Sequence, residues 1–285
     1  MRPREILRRR RRRRRVRVRP IPGWSINILI PNVLTMLALC AGMTAIRFAV
    51  AERFEAAVLA IMVAGVLDGL DGRIARLLKG MTNFGAQLDS LSDFVSFGVA
   101  PAVLLYMWTM GAMQSVGWAL VLLFAVCCAL RLARFNTQIG ADLPSYASNF
   151  FTGTPAPAGA GLVLIPMLLS FEFGNAFWRS PLLNGAVLAL VAALMVSRVP
   201  TYSLKRFHVP RHWVLPTLLA IGLIAAFFTT EPWATLLVIG FVYVASIPVS
   251  VWQYLRRRAA EEARVPQREL APPPAADPYP PPERG

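Results

Sequence analysis

Apolar residues fall along this chain in eight long runs separated by short polar breaks, at about 28–50, 54–77, 84–110, 116–136, 156–173, 182–199, 212–230 and 232–254. A helix needs about 20 apolar residues to cross a bilayer. Runs of this length are too long for barrel strands, and helices satisfy their backbone hydrogen bonds internally, as lipid requires. The pattern predicts an all-α, polytopic transmembrane helix bundle of about eight spans. No internal repeat and no water-soluble domain interrupts it.

Composition agrees with that reading. Hydrophobic residues make up 56% of the 285, and the mean hydropathy is +0.51. Most of the net charge of +15 lies at the N-terminal end. Twelve arginines lie between Arg2 and Arg19. Beside a membrane, such a block attracts anionic headgroups and marks the cytoplasmic side. Anionic lipid, not nucleic acid, is therefore the expected partner. No small-residue cleavage site follows the block, so no cleavable signal peptide is expected. Three regions follow: residues 1–22 as a disordered cytoplasmic N-terminus, 23–255 as the transmembrane domain, and 256–285 as a disordered Pro-rich cytoplasmic tail.

The remaining charges order the spans. Arg73, Arg76, Lys79, Arg131, Arg134, Arg198, Lys205, Arg206 and Arg211 fall at one set of ends, whereas Arg47, Arg53 and Arg179 fall at the other. By the positive-inside rule the first set is cytoplasmic, and both termini are too. Cys40, Cys127 and Cys128 lie within spans at no metal-binding spacing and are expected to pack as small apolar residues.

The informative exception to the apolar pattern is D-G-L-D-G-R-I-A-R, then eight residues, then G-A-Q-L-D-S-L-S-D. Ionisable groups in membrane segments are costly and mark function. Asp68 and Asp71 are three apart and Asp89 and Asp93 four apart, so on helices each pair shares a face. A turn near Gly80 folds the two helices into an antiparallel hairpin and brings all four carboxylates to one depth. Four clustered carboxylates cannot all stay ionised without cations. A donor set of oxygens alone suits Mg²⁺ or Mn²⁺, and two such ions can clamp a phosphoryl displacement. Gly72 and Gly85 let a ligand or helix approach closely, and Arg76 can pair with phosphate. The same acids could instead form a cation or proton relay in an ion-coupled transporter.

The run also resembles the signature of the CDP-alcohol phosphatidyltransferase family, D-x2-D-G-x2-A-R-x8-G-x3-D-x3-D, at every fixed position. The resemblance implies a membrane enzyme with a six-helix catalytic core, moving a phosphatidyl or similar group from a CDP-linked lipid to an alcohol with release of CMP. It implies that Asp68, Asp71 and Asp89 hold one divalent cation and Asp68, Asp89 and Asp93 a second. Asp93 would also be the general base. Gly72, Arg76 and Thr82 would contact the CDP-lipid. So would Asn32 and Thr35 in Pro31-Asn32-Val33-Leu34-Thr35, which is similar to the family's other nucleotide-contacting stretch.

The sequence L-D-S-L-S-D-F-V-S-F-G-V-A-P-A, residues 130–136 (L-R-L-A-R-F-N), residues 151–157 (F-T-G-T-P-A-P), and Met195-Val196-Ser197 with Lys205 resemble the bacterial branch that uses L-serine as acceptor. Arg131 and Arg134 are candidates to hold the acceptor's carboxylate, or else are topology charges. Asn136 is as suited to capping a helix as to touching a ligand. Gly153, Pro155 and Pro157 are expected to shape a loop and a helix start, and His208 and His212 to be structural. Glycerol 3-phosphate or an inositol phosphate is the alternative acceptor, and would call for more basic residues around the site. Expected partners are CDP-diacylglycerol, L-serine, anionic lipids and a second copy of the chain. The expected location is the inner (cytoplasmic) membrane, with the site facing the cytoplasm.

Overall fold

The computed structural model describes residues 26–138, 150–174, 176–197, 200–202 and 214–262. Eight helices occupy them: α1 (Ile26–Val50), α2 (Phe54–Leu77), α3 (Asn83–Trp108), α4 (Gln114–Gln138), α5 (Ala156–Phe173), α6 (Pro181–Val196), α7 (Val214–Thr230) and α8 (Pro232–Glu262). They fall on the eight apolar runs. Five helices are long and apolar enough to cross a membrane: α1, α3, α4, α5 and α8. α6 and α7 are apolar but shorter, at 16 and 17 residues. α2 has the length, but its last turns carry Asp68, Asp71, Arg73 and Arg76. The chain is thus a multi-pass, all-α membrane bundle.

Small residues let the first helices close on one another. Ala45 and Ala49 of α1 meet the α2 region of Ala57 and Ala64, and all four are buried. Backbones that approach this closely gain van der Waals contact where lipid supplies no hydrophobic drive. Phe97, Leu104 and Leu105 of α3, Phe124 of α4, Met167 of α5 and Leu188 of α6 complete the core. α7 contributes no buried residue. It packs on α8, which in turn packs on α5 and on a short ribbon. Helices α1–α6 therefore form the central bundle, with α7–α8 added at its flank.

The ribbon was not expected. β1 (Phe150–Thr152) pairs antiparallel with β2 (Pro200–Tyr202), Phe151 opposite Thr201. It joins the chain entering α5 to the chain leaving α6. At the other end of the bundle, Arg179 Nη2 and Nε donate to the Trp108 carbonyl at 3.2 and 3.3 Å, and Thr109 Oγ1 donates to the Arg179 carbonyl at 2.7 Å.

Two boundaries differ from the apolar pattern. α8 continues to Glu262, past the expected start of a disordered tail at 256. The run R-R-R-A-A-E-E is polar but made of strong helix formers, and the Arg256 guanidinium stacks 3.9 Å over the Trp252 ring. α3 is not a uniform α-helix: Phe94–Val99 is π-helical. Pro101 lacks the N–H that would close an α-helical bond there, and the Ala100 N–H reaches back to the Val95 carbonyl. The Arg-rich N-terminus, most of the C-terminal tail, and Lys205, His208 and His212 lie outside the described residues.

Candidate active site

α2 descends to Leu77, a short connection turns the chain, and α3 begins at Asn83. The turn is tight: a Cβ on Gly80 would stand 2.1 Å from the Asn27 carbonyl oxygen. One carboxylate oxygen each from Asp68, Asp71 and Asp89 lies within 4.8 Å of the others. Asp93 meets Asp68 side chain to side chain, and its Oδ1 is fully buried with no hydrogen-bond partner. The hairpin is open where it carries these acids. α2 approaches α3 over Phe94–Trp108 rather than over Asn83–Asp93, and α1 packs against both.

α1 organises this gap. Thr35 Oγ1 donates to Asp71 Oδ2 at 2.5 Å, and the Thr35 carbonyl accepts from Ser92 Oγ at 3.2 Å. Four residues on, Ser96 Oγ donates to the Ala38 carbonyl at 3.3 Å. Asn32, a turn before Thr35, faces Gly85: a Cβ there would stand 2.8 Å from Asn32 Oδ1. Gly85 is thus small because α1 presses on it. Gly72 differs, since a Cβ there would meet nothing within 4 Å. The face of α2 beside Asp71 is open. Thr82 is the N-cap of α3, its Oγ1 accepting from the Gly85 N–H at 3.0 Å. Arg76 is exposed in the last turn of α2.

Serines tether α3 on both flanks of its acids. At about 100° per residue, Asp89 and Asp93 lie on the face between Ser90 and Ser92. Ser92 is bonded to α1. Ser90 is bonded to α4, where Asn136 Nδ2 donates to Ser90 Oγ at 2.9 Å. Asn136 therefore ties two helices together rather than capping its own. The π segment starts directly after Asp93, a placement common at functional sites. Sequence reasoning missed these tethers. The available signals were three serines spaced among the acids of an otherwise apolar helix, and Pro101 for the π segment.

The two arginines of α4 have different partners. Arg134 Nη1 donates to the Val196 carbonyl at 3.1 Å and Nη2 to the Ser197 carbonyl at 3.0 Å. It satisfies the last carbonyls of α6, which a helix end otherwise leaves open. The F-T-G-T-P stretch docks on the same end. Gly153 has φ +82°, and a Cβ there would stand 2.7 Å from the Met195 carbonyl oxygen; the Thr154 N–H reaches the Leu194 carbonyl at 3.4 Å. Pro155 is the N-cap of α5. Arg131, half-buried, faces the acids instead, with Asp93 and Asp68 as electrostatic neighbours. It makes no hydrogen bond or ion pair with another described residue. Cys127 and Cys128 are buried and free, packed as expected. Cys40 is free but exposed.

The donor set fits a hard divalent cation. All four side chains offer oxygen, three present it around a common point, and Asp93 Oδ1 is buried without a partner, which an apolar interior does not tolerate unless something binds there.

Comparison with known proteins gives concordant matches. The family model described as CDP-alcohol phosphatidyltransferase matches residues 28–197, and one described as CDP-alcohol phosphatidyltransferase 2 matches residues 212–248. The chain is 39% identical over 235 residues to the CDP-diacylglycerol–serine O-phosphatidyltransferase of Mycobacterium leprae (strain TN), covering 82% of this chain and 78% of that relative. It is 40% identical over 224 residues to the protein of the same description from Mycobacterium tuberculosis (strain ATCC 25618 / H37Rv), covering 78% of each. A protein so described from Helicobacter pylori (strain J99 / ATCC 700824) is 35% identical over 178 residues, 62% of this chain and 73% of its own length.

Proposed function

The chain belongs to the CDP-alcohol phosphatidyltransferase family, and we propose that it transfers the phosphatidyl group of CDP-diacylglycerol to L-serine, releasing CMP. The observation that carries this reading is the open acid gap between α2 and α3, with the Arg131 guanidinium, which has no hydrogen-bond or ion-pair partner among the described residues, facing it from α4. The description carried by the relatives supports serine as the acceptor.

In this reading the acyl chains stay in the bilayer and the diphosphate enters the gap beside Gly72, with Asn32, Thr35, Arg76 and Thr82 around it. Two divalent cations, Mg²⁺ or Mn²⁺, held by Asp68, Asp71, Asp89 and Asp93, would neutralise the diphosphate and stabilise the departing CMP. Asp93 takes the proton of the serine hydroxyl. The hydroxyl oxygen bonds to the β-phosphorus, the phosphoanhydride bond breaks, and CMP leaves. No side chain beside the acids stands out as a nucleophile, which favours direct transfer. Arg131 pairs with the serine carboxylate. Arg134 was a second candidate for that role, but its donors are engaged by α6; it supports the site through that helix end.

The charge distribution supports an even number of crossings, six or eight, with both termini and the site on the cytoplasmic side of the inner membrane, and attraction of the Arg block to anionic lipid. A homodimer remains part of the reading, testable by cross-linking in membranes. The central experiment is purified protein with CDP-diacylglycerol, Mn²⁺ or Mg²⁺, and serine, glycerol 3-phosphate, inositol phosphate or no acceptor. CMP release with serine alone is expected. Preference for a phosphorylated alcohol would overturn the acceptor assignment, and transport without CMP release would overturn the enzyme.

A further inference from the structure

α3 serves the site with one half and the core with the other. Its cytoplasmic half carries Asp89 and Asp93 at the gap, whereas Phe97, Ala100 and Leu104 are buried in the core. These five residues follow one another at spacings of four, four, three and four, the repeat of a single helical face. An uninterrupted α-helix would therefore point both acids the way it points Leu104. The π turn at Phe94–Val99 intervenes. It takes up one residue more than an α-helical turn, which offsets the two halves of α3 by about 100°.

The turn is held from three sides. Ser96, Phe97 and Gly98 are consecutive and all buried, and each meets a different helix. Ser96 Oγ donates to the Ala38 carbonyl of α1 at 3.3 Å. α1 comes so close there that a Cβ on Gly42 would stand 2.8 Å from Ser96 Cα. The Phe97 ring lies over Gly65 of α2, 3.7 Å from where a Cβ would be. On the α4 side, a Cβ on Gly98 would stand 3.2 Å from Cys128 Sγ. Pro101 removes one α-helical bond downstream, but it does not fix where the extra residue falls. The grip on Ser96, Phe97 and Gly98 places it directly after Asp93.

We propose that Ser96 and Gly42 are positioning residues for Asp93: by holding the π turn against α1, they keep the acid-bearing half of α3 turned to the gap and away from the core. This rests on the reading of Asp93 as the group that takes the acceptor's proton. A base works only within hydrogen-bond reach of that proton, so the phase of the helix beneath it bears on turnover more than on substrate binding.

The test uses the full-length protein in mixed micelles with Mn²⁺, read by CMP release and by thermal midpoint. Ser96→Ala removes the tie to α1. It should lower kcat about 5- to 15-fold, the worth of one hydrogen bond, with the KM for serine and for CDP-diacylglycerol nearly unchanged. Gly42→Ala drives α1 off the turn and should lower kcat by about 10²-fold, the cost of misplacing a reacting group by about 1 Å. Deleting Val95 restores the α-helical repeat and turns the acids by about 100°; CMP release should vanish. Should that deletion not fold, the two point variants decide alone. Unchanged kcat in both of them overturns the proposal. So does a lowered thermal midpoint with kcat per folded molecule unchanged, or a rise in both KM values in place of the loss in kcat, since either makes the turn a packing feature. The reading of Asp93 fails separately, through Asp93→Asn. If that variant keeps wild-type turnover, Asp93 is not the base and the positioning role falls with it. If it is inactive while Ser96→Ala and Gly42→Ala keep wild-type kcat, only the positioning role falls.

Discussion

Thr35 on α1 donates its hydroxyl to Asp71 on α2 across 2.5 Å. The same residue's carbonyl accepts from Ser92 on α3. One threonine thus sets the spacing of both acid-bearing helices, and it does so where they stand apart. A hydroxyl bonded to a carboxylate is roughly twice as strong as a neutral pair, and here it also fixes which way the Asp71 carboxylate turns.

Thr35→Val keeps the shape and removes the donor. A hydrogen bond to a charged group contributes about 1.5–3 kcal/mol, so kcat/KM should fall about 10- to 100-fold. The Mn²⁺ concentration for half-maximal activity should rise, while Thr35→Ser keeps most activity. Activity within two-fold of wild type, with unaltered metal dependence, would remove Thr35 from the site.

The two motif glycines should separate. A Cβ on Gly72 meets nothing within 4 Å, whereas one on Gly85 collides with Asn32. Gly72→Ala should leave the fold intact or stabilise it by about 0.5–1 kcal/mol, as expected for Gly to Ala within a helix. It should still depress turnover about ten-fold or more if the nucleotide-lipid packs on that face. Gly85→Ala should lower both thermal midpoint and turnover. Full activity in Gly72→Ala would mean the open face of α2 is not where the substrate lies.

Asp93→Asn retains size and loses the ability to take a proton. Turnover should drop by about 10²-fold or more, while binding of CDP-diacylglycerol partly survives, measured by calorimetry in micelles. Chelator should stop CMP release in the wild type and Mg²⁺ or Mn²⁺ should restore it, because every ligand on offer is oxygen. Full turnover in excess chelator would reject the cation site.

Asn136 and Ser90 should behave as a unit, since each is the other's partner across α3 and α4. Asn136→Ala and Ser90→Ala should each lower kcat/KM for serine by about 5- to 15-fold, the worth of one hydrogen bond of about 1–1.5 kcal/mol. The double variant should be no worse than either single one. Additive losses would show that the two residues act separately.

Much of this was legible in the sequence because it is local. The eight helices follow apolar runs, and the acids group because Asp68 and Asp71, then Asp89 and Asp93, repeat at helical spacing beside a single turn. What was not legible is contact between residues distant in sequence. Arg134 and Val196 are 62 residues apart, and nothing in L-R-L-A-R distinguishes the arginine that satisfies another helix's end from the one that faces the acids. Helical spacing alone suggested one shared cationic patch. The extension of α8 through Glu262 was missed because polarity was weighed there over helix propensity.

The separated arginines give the sharpest test of acceptor recognition. Arg131→Ala should raise the serine KM far more than that of CDP-diacylglycerol, by about ten-fold or more, since it removes a charged partner. Arg131→Lys should rescue only partly, because an ammonium cannot present the planar fork that grips a carboxylate with two parallel bonds. Arg134→Ala should act differently. Losing the bonds to the Val196 and Ser197 carbonyls frees the end of α6 and the loop resting on it, so thermal midpoint and kcat should fall with little selective change in serine KM. Serinol should be a poor acceptor for the wild type and for Arg134→Ala, whereas Arg131→Ala should discriminate less between serinol and serine. If Arg134→Ala instead shifts serine KM selectively and Arg131→Ala does not, the carboxylate site lies at the end of α6, and Arg131 serves only to offset the charge of the acids it faces.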